Sequence, residues 1–419
     1  MGPAGLVTGI ALAVHRHQVL GFDADPHRNR DTARGTPPFY EPGVRQALRR
    51  ALSAKRFAVA QDMATVVRDS DILFLCVGTP SRPDGSMDDS ALIAAAQSIA
   101  GASFGPRMRT IVVKSTVLPG TTESVVRPIL EKSGRSFRLG MNPEFLQEGR
   151  ALKDALAPDR VVLGVDGPGT ARVLKDLYRF ARGPVLVTSI RTAEAIKLAT
   201  NAFLATKVAF ANELANVCDA LGVSYDEVHK GLSLDPRISP RFLVPGVGFG
   251  GSCFAKDARA LVASSKGHGV ELSLLPAVLN HNETQYLRAI DLLEDELGNL
   301  AGKQIALLGL AFKGGTDDVR ESRAIPIAKA LLELGATVVG FDPRAGPNFR
   351  KHVPEVQLAK SVDEALRGSH CAIFQADWPE FRRLTAERFR RLMVEPVVVD
   401  GRRILDPRKM KGVRFRRIG

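Results

Sequence analysis

Cysteine is scarce in this chain: four in 419 residues, at positions 76, 218, 253 and 371, with no CxxC pair. That number and spacing exclude a disulfide framework and a structural zinc site, so free thiols, a reducing compartment and no bound metal are expected. Aromatic residues make up 6%, with a single tryptophan, Trp378, which leaves no stacking platform for single-stranded nucleic acid. No run approaches the roughly 18 apolar residues that span a bilayer. The apolar stretch from Leu6 to Val14 is interrupted by Gly9 and lacks a basic leader and cleavage site, so it does not read as a signal peptide. The cytoplasm is the default location, with neither membrane nor nucleic acid as a partner.

What the chain has is globular composition, 45% apolar and 25% charged, and a net charge of +13. An excess of that size suits either a polyanion or a small phosphate-bearing ligand. The basic residues are scattered, as a solvated surface would have them, so charge alone does not choose.

Short β-branched runs alternate with amphipathic ones in the first half: Gln18–Phe22, Asp71–Val77, Thr110–Lys114, Val161–Val165 and Val185–Thr188 read as strands. Helices are expected around 41–54, 88–101 and 121–133. Near-continuous apolar strands separated by helices predict a parallel sheet covered on both faces. Residues 192–222 form one long proline-free helical pattern stopped by Gly222. A helix at Tyr225–Leu232, a Pro/Gly-rich loop at 235–252 and a helical region from 256 to 298 follow. Strands resume at Gln304 (QIALLGL), with ATVVGFDP, HCAIFQAD and PVVVDGR beyond it and a helix at 323–334. The fold class expected is α/β, two Rossmann-like parallel-sheet domains, 1–190 and 299–419, joined by a helical central domain, 191–298.

Five constellations carry chemistry. Gly2 and Gly5 open a helix, and about twenty residues on a strand ends at Asp23. Glycines at a helix start admit a pyrophosphate, and such an acid suits a ribose diol, favouring NAD over NADP. Cys253 lies between the glycine-rich loop Gly248–Gly251 and the pair Lys256-Asp257, where a helix start and a cation would activate a thiol. Glu144 and Glu148 stand four apart in NPEFLQEG and can face one cleft. Glu194, Lys197 and Asn201 share a helix face. The segment Phe312–Ser322, with Lys313 and Arg320, brings cations and backbone donors to a strand end.

GTPSRPDG, VKSTVLPGTT, NPEFLQEG, EAIKLATNAFLATKVAFANE, GVGFGGSCFAKD and GLAFKGGTDDVRES stand in the order and spacing of the UDP-glucose/GDP-mannose dehydrogenase family, which the chain resembles over nearly its whole length. The resemblance implies two successive NAD-dependent oxidations of a sugar C6 alcohol to a carboxylate. By it, Cys253 is the nucleophile, Lys197 stabilises the oxyanion, Asp257 and Thr116 hold a water, Glu144 serves as base in thioester hydrolysis, and Asn201 completes the catalytic group. Substrate contacts fall to Glu144, Glu148, Lys197, Asn201, Phe249, Gly250, Lys313 and Arg402, with Arg237 reaching a neighbouring subunit, so at least a homodimer is implied. Cofactor contacts fall to Gly2, Gly5, Asp23, Arg28, Thr79, Ser115, Thr116, Glu148, Lys256 and Arg320.

UDP-glucose leads as substrate, with UDP-N-acetylmannosamine, UDP-N-acetylglucosamine and GDP-mannose as alternatives. An inactive nucleotide-sugar binder is the reading from another class. Three departures from the family pattern stand out. The strand and first glycine that precede Gly2 are missing, so the written start is expected to lie about ten residues inside the real one, with weakened NAD binding otherwise. Ala255 and Arg323 replace prolines.

Overall fold

The computed structural model describes residues 1–102 and 107–419. They form two compact units, Met1–Thr200 with Ala260–Val270, and Asn201–Arg259 with Glu271–Gly419.

In the first unit, strands β1 (Val19–Gly21) and β2 (Phe57–Val59) form a two-stranded parallel sheet. Strands β3 (Ile72–Leu75), β4 (Arg109–Val113), β5 (Phe137–Met141), β6 (Val161–Val165) and β7 (Val185–Thr188) form a second sheet in chain order. β4 is buried throughout, as expected of an apolar strand covered on both faces. The helix Pro3–Val14 begins with proline at its first turn, where a missing N–H costs nothing, and buries Leu6, Val7 and Ile10.

Contrary to the parallel sheet expected, β6 runs antiparallel to β5, pairing Gly140 with Val165 and Met141 with Gly164. The segment between them returns the chain beside β5 and carries only the short helix Ala151–Leu156, whereas a parallel neighbour needs a full crossover. The helix expected at 121–133 is a π-helical turn, Thr122–Val126, followed by a short α-helix, Arg127–Glu131. Pro128 has no N–H to give to a regular ladder there.

The second unit contains a six-stranded, all-parallel sheet in the order β10-β9-β8-β11-β12-β13. Its strands are β8 (Gln304–Leu308), β9 (Thr337–Phe341), β10 (Gln357–Leu358), β11 (Cys371–Phe374), β12 (Val397–Asp400) and β13 (Arg414–Arg417). This is the doubly wound order 3-2-1-4-5-6. Ile305 and Leu307 of the central strand pack with Ile327, Ala328 and Leu331 of the helix Ala324–Glu333 in one buried cluster.

Helices fill the middle of the chain. The longest, Ile190–Leu221, is followed by Gly222 in the left-handed conformation (φ 66°) that suits a helix stop. Its residues to Thr200 belong to the first unit and those from Asn201 to the second. The region expected as one helical stretch at 256–298 is three helices, Phe254–Gly267, Leu274–Thr284 and Leu287–Leu297. Gly267 and Gly269, the latter at φ 72°, end the first. Among the described residues no helix is long and apolar enough to cross a membrane.

Candidate active site

In the first unit the sequence-expected residues gather at the carboxyl ends of β3, β4 and β5, where open α/β sheets bind ligands. The Thr79 hydroxyl donates to the Thr116 carbonyl (2.7 Å) and the Ser115 hydroxyl to the Val77 carbonyl (2.7 Å), stitching the loops after β3 and β4 together. After β5, Glu144 forms an ion pair with Lys197 (2.9 Å), and its other oxygen accepts the Leu146 N–H (2.6 Å). Burial pushes the Glu144 carboxyl upward, but the charge and hydrogen bond of Lys197, the Leu146 N–H and the Lys114 charge outweigh it, and the net direction is below the ordinary value. Glu144 is therefore ionised in this arrangement. Lys197 lies 5.5 Å from the Phe145 ring centroid, a cation held by a carboxylate and an aromatic face.

One turn before Lys197, buried Glu194 accepts the N–H groups of Gly120 (2.5 Å) and Thr122 (2.8 Å), capping the π-helical turn. Desolvation raises its pKa. The sequence grouped Glu194 with Lys197 and Asn201 on one helix face as a cleft lining, with a Glu–Lys pair as the alternative, whereas its carboxylate holds backbone N–H groups.

The fit to a dinucleotide can be judged from the start of the chain. The helix Pro3–Val14 has no side-chain cap, and a Cβ at Gly2 would meet nothing within 4 Å. Its first N–H groups are thus available to a pyrophosphate. Asp23 at the end of β1 contacts the Met1 ammonium and lies 3.8 Å from Arg28. Burial raises the Asp23 pKa, and the ammonium, the Asp25 N–H and Arg28 together bring it below the ordinary value. An ionised carboxylate at that place suits a ribose diol. These residues fit the group.

In the second unit the glycine-rich loop ends at half-buried Cys253, whose carbonyl accepts the Asp257 N–H (2.8 Å) and so starts the helix Phe254–Gly267. The thiol thereby stands at a helix N-terminus, where the dipole favours a thiolate. The Ser252 hydroxyl is 3.5 Å from its sulfur. Asp257 is buried, bonded to Asn201 Nδ2 (2.6 Å) and paired with Lys256. The structure thus joins Cys253, Lys256, Asp257 and Asn201 locally, and Lys197 lies one turn before Asn201 on the same helix.

The loop's path demands glycine: a Cβ at Gly250 would lie 2.3 Å from the Glu321 carbonyl oxygen, and Gly251 has φ 86°. Arg402 is half-buried and donates to three carbonyls, Gln375 (2.5 Å), Gly248 (3.1 Å) and Phe312 (3.1 Å). Desolvation lowers its pKa. Lys313 stands 5.5 Å from the Phe312 ring centroid. Arg320 and Arg237 are exposed and pair with Asp318 and Asp235, two residues away in each case.

Sequence reasoning missed the side chains that hold backbone rather than face solvent. Glu41 accepts the N–H groups of Gly149 (2.7 Å) and Ala151 (2.8 Å), fixing the turn after Glu148. Lys114 donates to Asn142 Oδ1 (2.8 Å) behind β5. Asn212, Asn282 and Gln285 grip the glycine-rich loop. A charge or amide within an apolar pattern was the available signal, but its partner lies tens of residues away.

Three models of the UDP-glucose/GDP-mannose dehydrogenase family match: the NAD binding domain over residues 1–182, the central domain over 191–284 and the UDP binding domain over 306–407. The UDP-glucose 6-dehydrogenase AglM of Haloferax volcanii is 40% identical, covering 97% of this chain and 96% of that protein. A solved UDP-glucose dehydrogenase from Pyrobaculum islandicum superposes with a TM-score of 0.91 at 39% identity, covering 99% of this chain and 94% of that one. The UDP-D-ManNAc dehydrogenase of Pyrococcus horikoshii gives 0.87 at 28% identity, covering 100% and 97%.

Proposed function

Because the chain belongs to the UDP-glucose/GDP-mannose dehydrogenase family, an NAD-dependent class of oxidoreductase, we propose that it oxidises UDP-glucose to UDP-glucuronate in two steps through a covalent intermediate on Cys253. The observation that carries the reading is the placement of that thiol, half-buried at a helix N-terminus behind a rigid glycine loop, one turn ahead of buried Asp257. NAD, when bound, supplies the hydride acceptor.

The first oxidation takes a hydride and a proton from the C6 alcohol and leaves an aldehyde. The Cys253 sulfur adds to the aldehyde carbon, and the oxygen takes a proton to give a thiohemiacetal. Loss of a second hydride and that proton gives a thioester, and water cleaves it to the carboxylate and the free thiol. Lys197 faces the developing oxyanion, and its pairing with Glu144 keeps that carboxylate ionised until substrate arrives. Glu144 then serves as base in hydrolysis, once a ligand draws Lys197 away and its pKa rises. Asp257, held by Asn201 and Lys256, orients the water with Thr116.

The remaining assignments belong to the same reading. Gly2, Gly5, Asp23, Arg28, Thr79, Ser115, Thr116, Glu148, Lys256 and Arg320 contact NAD. Glu148, Phe249, Gly250, Lys313 and Arg402 line the nucleotide-sugar site, with Arg237 reaching a second subunit. A dimer is supported by Phe203, Phe210 and Val217, exposed at seven-residue intervals on the long helix. The domains are 1–190, 191–298 and 299–419. Four widely spaced cysteines with no CxxC pair suit the cytoplasm.

The test measures NADH and acid from UDP-glucose beside UDP-N-acetylmannosamine, UDP-N-acetylglucosamine and GDP-mannose. Two NADH per UDP-glucose are expected, with Cys253→Ser binding UDP-glucose normally but making less than about one thousandth of the acid. Faster turnover of UDP-N-acetylmannosamine would move the assignment to the substrate of the Pyrococcus neighbour. No turnover of any sugar, with binding intact, would leave a nucleotide-sugar binder.

A further inference from the structure

Arg323 is almost fully buried and belongs to a closed ring of four charges. Its guanidinium reaches Glu283 (3.2 Å) and Glu321 (3.1 Å), and Arg259 reaches the other oxygens of the same two carboxylates, Glu283 at 3.0 Å and Glu321 at 3.1 Å. Each arginine therefore bridges both acids, and each acid gives one oxygen to each arginine. Planar forks of fixed geometry suit such a closed arrangement in a way that lysine does not.

The ring joins three segments, and each leads to the loop that carries Cys253. Arg259 lies on the helix Phe254–Gly267, which Cys253 starts. Glu283 follows Asn282, whose buried amide accepts the Phe249 N–H (2.7 Å) and donates to the Phe249 carbonyl (3.1 Å), pairing both backbone groups of one loop residue. Glu321 has φ 53°, a left-handed conformation that a non-glycine residue adopts at a cost. Its carbonyl closes against Gly250, and the preceding carbonyl, of Arg320, accepts the Gly251 N–H (2.9 Å). The ring holds Glu321 in that conformation through its side chain. Arg323 also donates to the Asn282 carbonyl (3.4 Å) and the Glu321 carbonyl (3.3 Å), tying the two supports of the loop to each other.

We propose that Asn282 and the ring Arg259–Glu283–Arg323–Glu321 are positioning residues for Cys253: they fix the backbone of residues 249–251 from both sides and so set where the thiol points. The proposal rests on Cys253 being the nucleophile. Near-attack geometry is sensitive to small displacements, with about 1 Å costing about 100-fold in rate, so a brace that touches neither substrate nor cofactor still governs kcat.

The experiment compares wild type with Asn282→Asp, Arg323→Met, Arg323→Lys and Glu283→Gln, reading kcat, both KM values and the rate of iodoacetamide alkylation at Cys253, with Cys253→Ser as blank. Asn282→Asp loses the donor to the Phe249 carbonyl and should lower kcat about 100-fold. Arg323→Met should lower it about tenfold and Arg323→Lys less, each with KM values within about twofold and faster alkylation as the loop loosens. Half-exposed Glu283 tolerates loss of charge in a folded protein, so Glu283→Gln tests the ring even where Arg323→Met does not fold; a drop of about threefold is expected. Adding Glu283→Gln to Arg323→Met should cost little more than Arg323→Met alone, because the two act through one unit. Unchanged kcat and alkylation in folded Asn282→Asp and Glu283→Gln, beside an active wild type, overturn the proposal and leave the functional reading standing. Equal acid production by Cys253→Ser and wild type overturns both.

Discussion

In the second unit's sheet, β8 has a neighbour on each edge, β9 and β11, and Ile305 to Leu308 are all buried. In the first unit, among the described residues, β3 pairs with β4 alone and β1 with β2 alone, and all three residues of β1 are only half-buried. Both units place strands under helices, yet one has a continuous six-stranded parallel ladder and the other has its strands divided between two sheets, one of them mixed. Cooperative stability grows with the number of strands that must separate together, and each unpaired edge leaves backbone groups for water to take. On that pairing β1 and β2 are expected to open at lower cost than β8, and they lie in the part of the chain that the NAD binding domain model matches.

The largest expected effect that could break this contrast is in the two sheets themselves. Leu307→Ala should destabilise the second unit by about 3–4 kcal/mol, as removal of a fully buried leucine does. Leu20→Ala in half-buried β1 should cost about 1 kcal/mol. Trp378 is the sole tryptophan and belongs to the second unit, so urea unfolding followed by its fluorescence reads Leu307→Ala, while far-UV circular dichroism reads both. Equal losses would remove the contrast.

Next comes the Glu144–Lys197 pair. Glu144→Gln takes the carboxylate away from a buried ammonium and should cost about 3 kcal/mol at neutral pH. The Glu144 pKa is lower in the folded chain than its ordinary 4.5, so its contribution is complete above about pH 4.5 and is lost as the pH falls through the folded value. Melting temperatures of wild type and Glu144→Gln should therefore converge on acidification; a constant gap down to pH 3 would show that the pair does not carry the difference. Hydrogen exchange sharpens the comparison further. Amides of β1 and β2 should exchange at least tenfold faster than those of β8, and NAD at about 100 times its Kd should slow them by about 100-fold while leaving β8 unchanged. Smallest of all, Arg237→Ala, which removes an exposed pair with Asp235, should leave both transitions where they are.

The sequence showed the parts of this molecule whose signals are local. β4, β8, β11 and β12 each hold an apolar run of three or four residues, the long helix has a proline-free pattern and a terminal glycine, and Cys253 stands out by its small, polar neighbours. β2 and β13 escaped notice because three residues, or an alternation of arginine with phenylalanine in Arg414–Arg417, carry too little apolar pattern to distinguish an edge strand from a loop. The reversed direction of β6 was invisible because strand polarity follows from the connection rather than from the strand's own residues. The same holds for the site. Chemical groups such as Cys253, Lys197 and Asp257 are legible as residue types in motifs, whereas Asn282, Glu41 and Arg323 act through backbone atoms tens of residues distant.

Arg402 gives one junction of the second unit a fastening that does not depend on a titrating carboxylate side chain. Three turns, at Gly248, Phe312 and Gln375, meet on one guanidinium, a group that keeps its proton across the whole range in which the chain stays folded. Swings in acidity that release the carboxylate latch at Glu144 therefore leave this junction fastened. A lysine there would offer three donors on one nitrogen instead of a planar fork that spans three turns, and a proton it could surrender on burial.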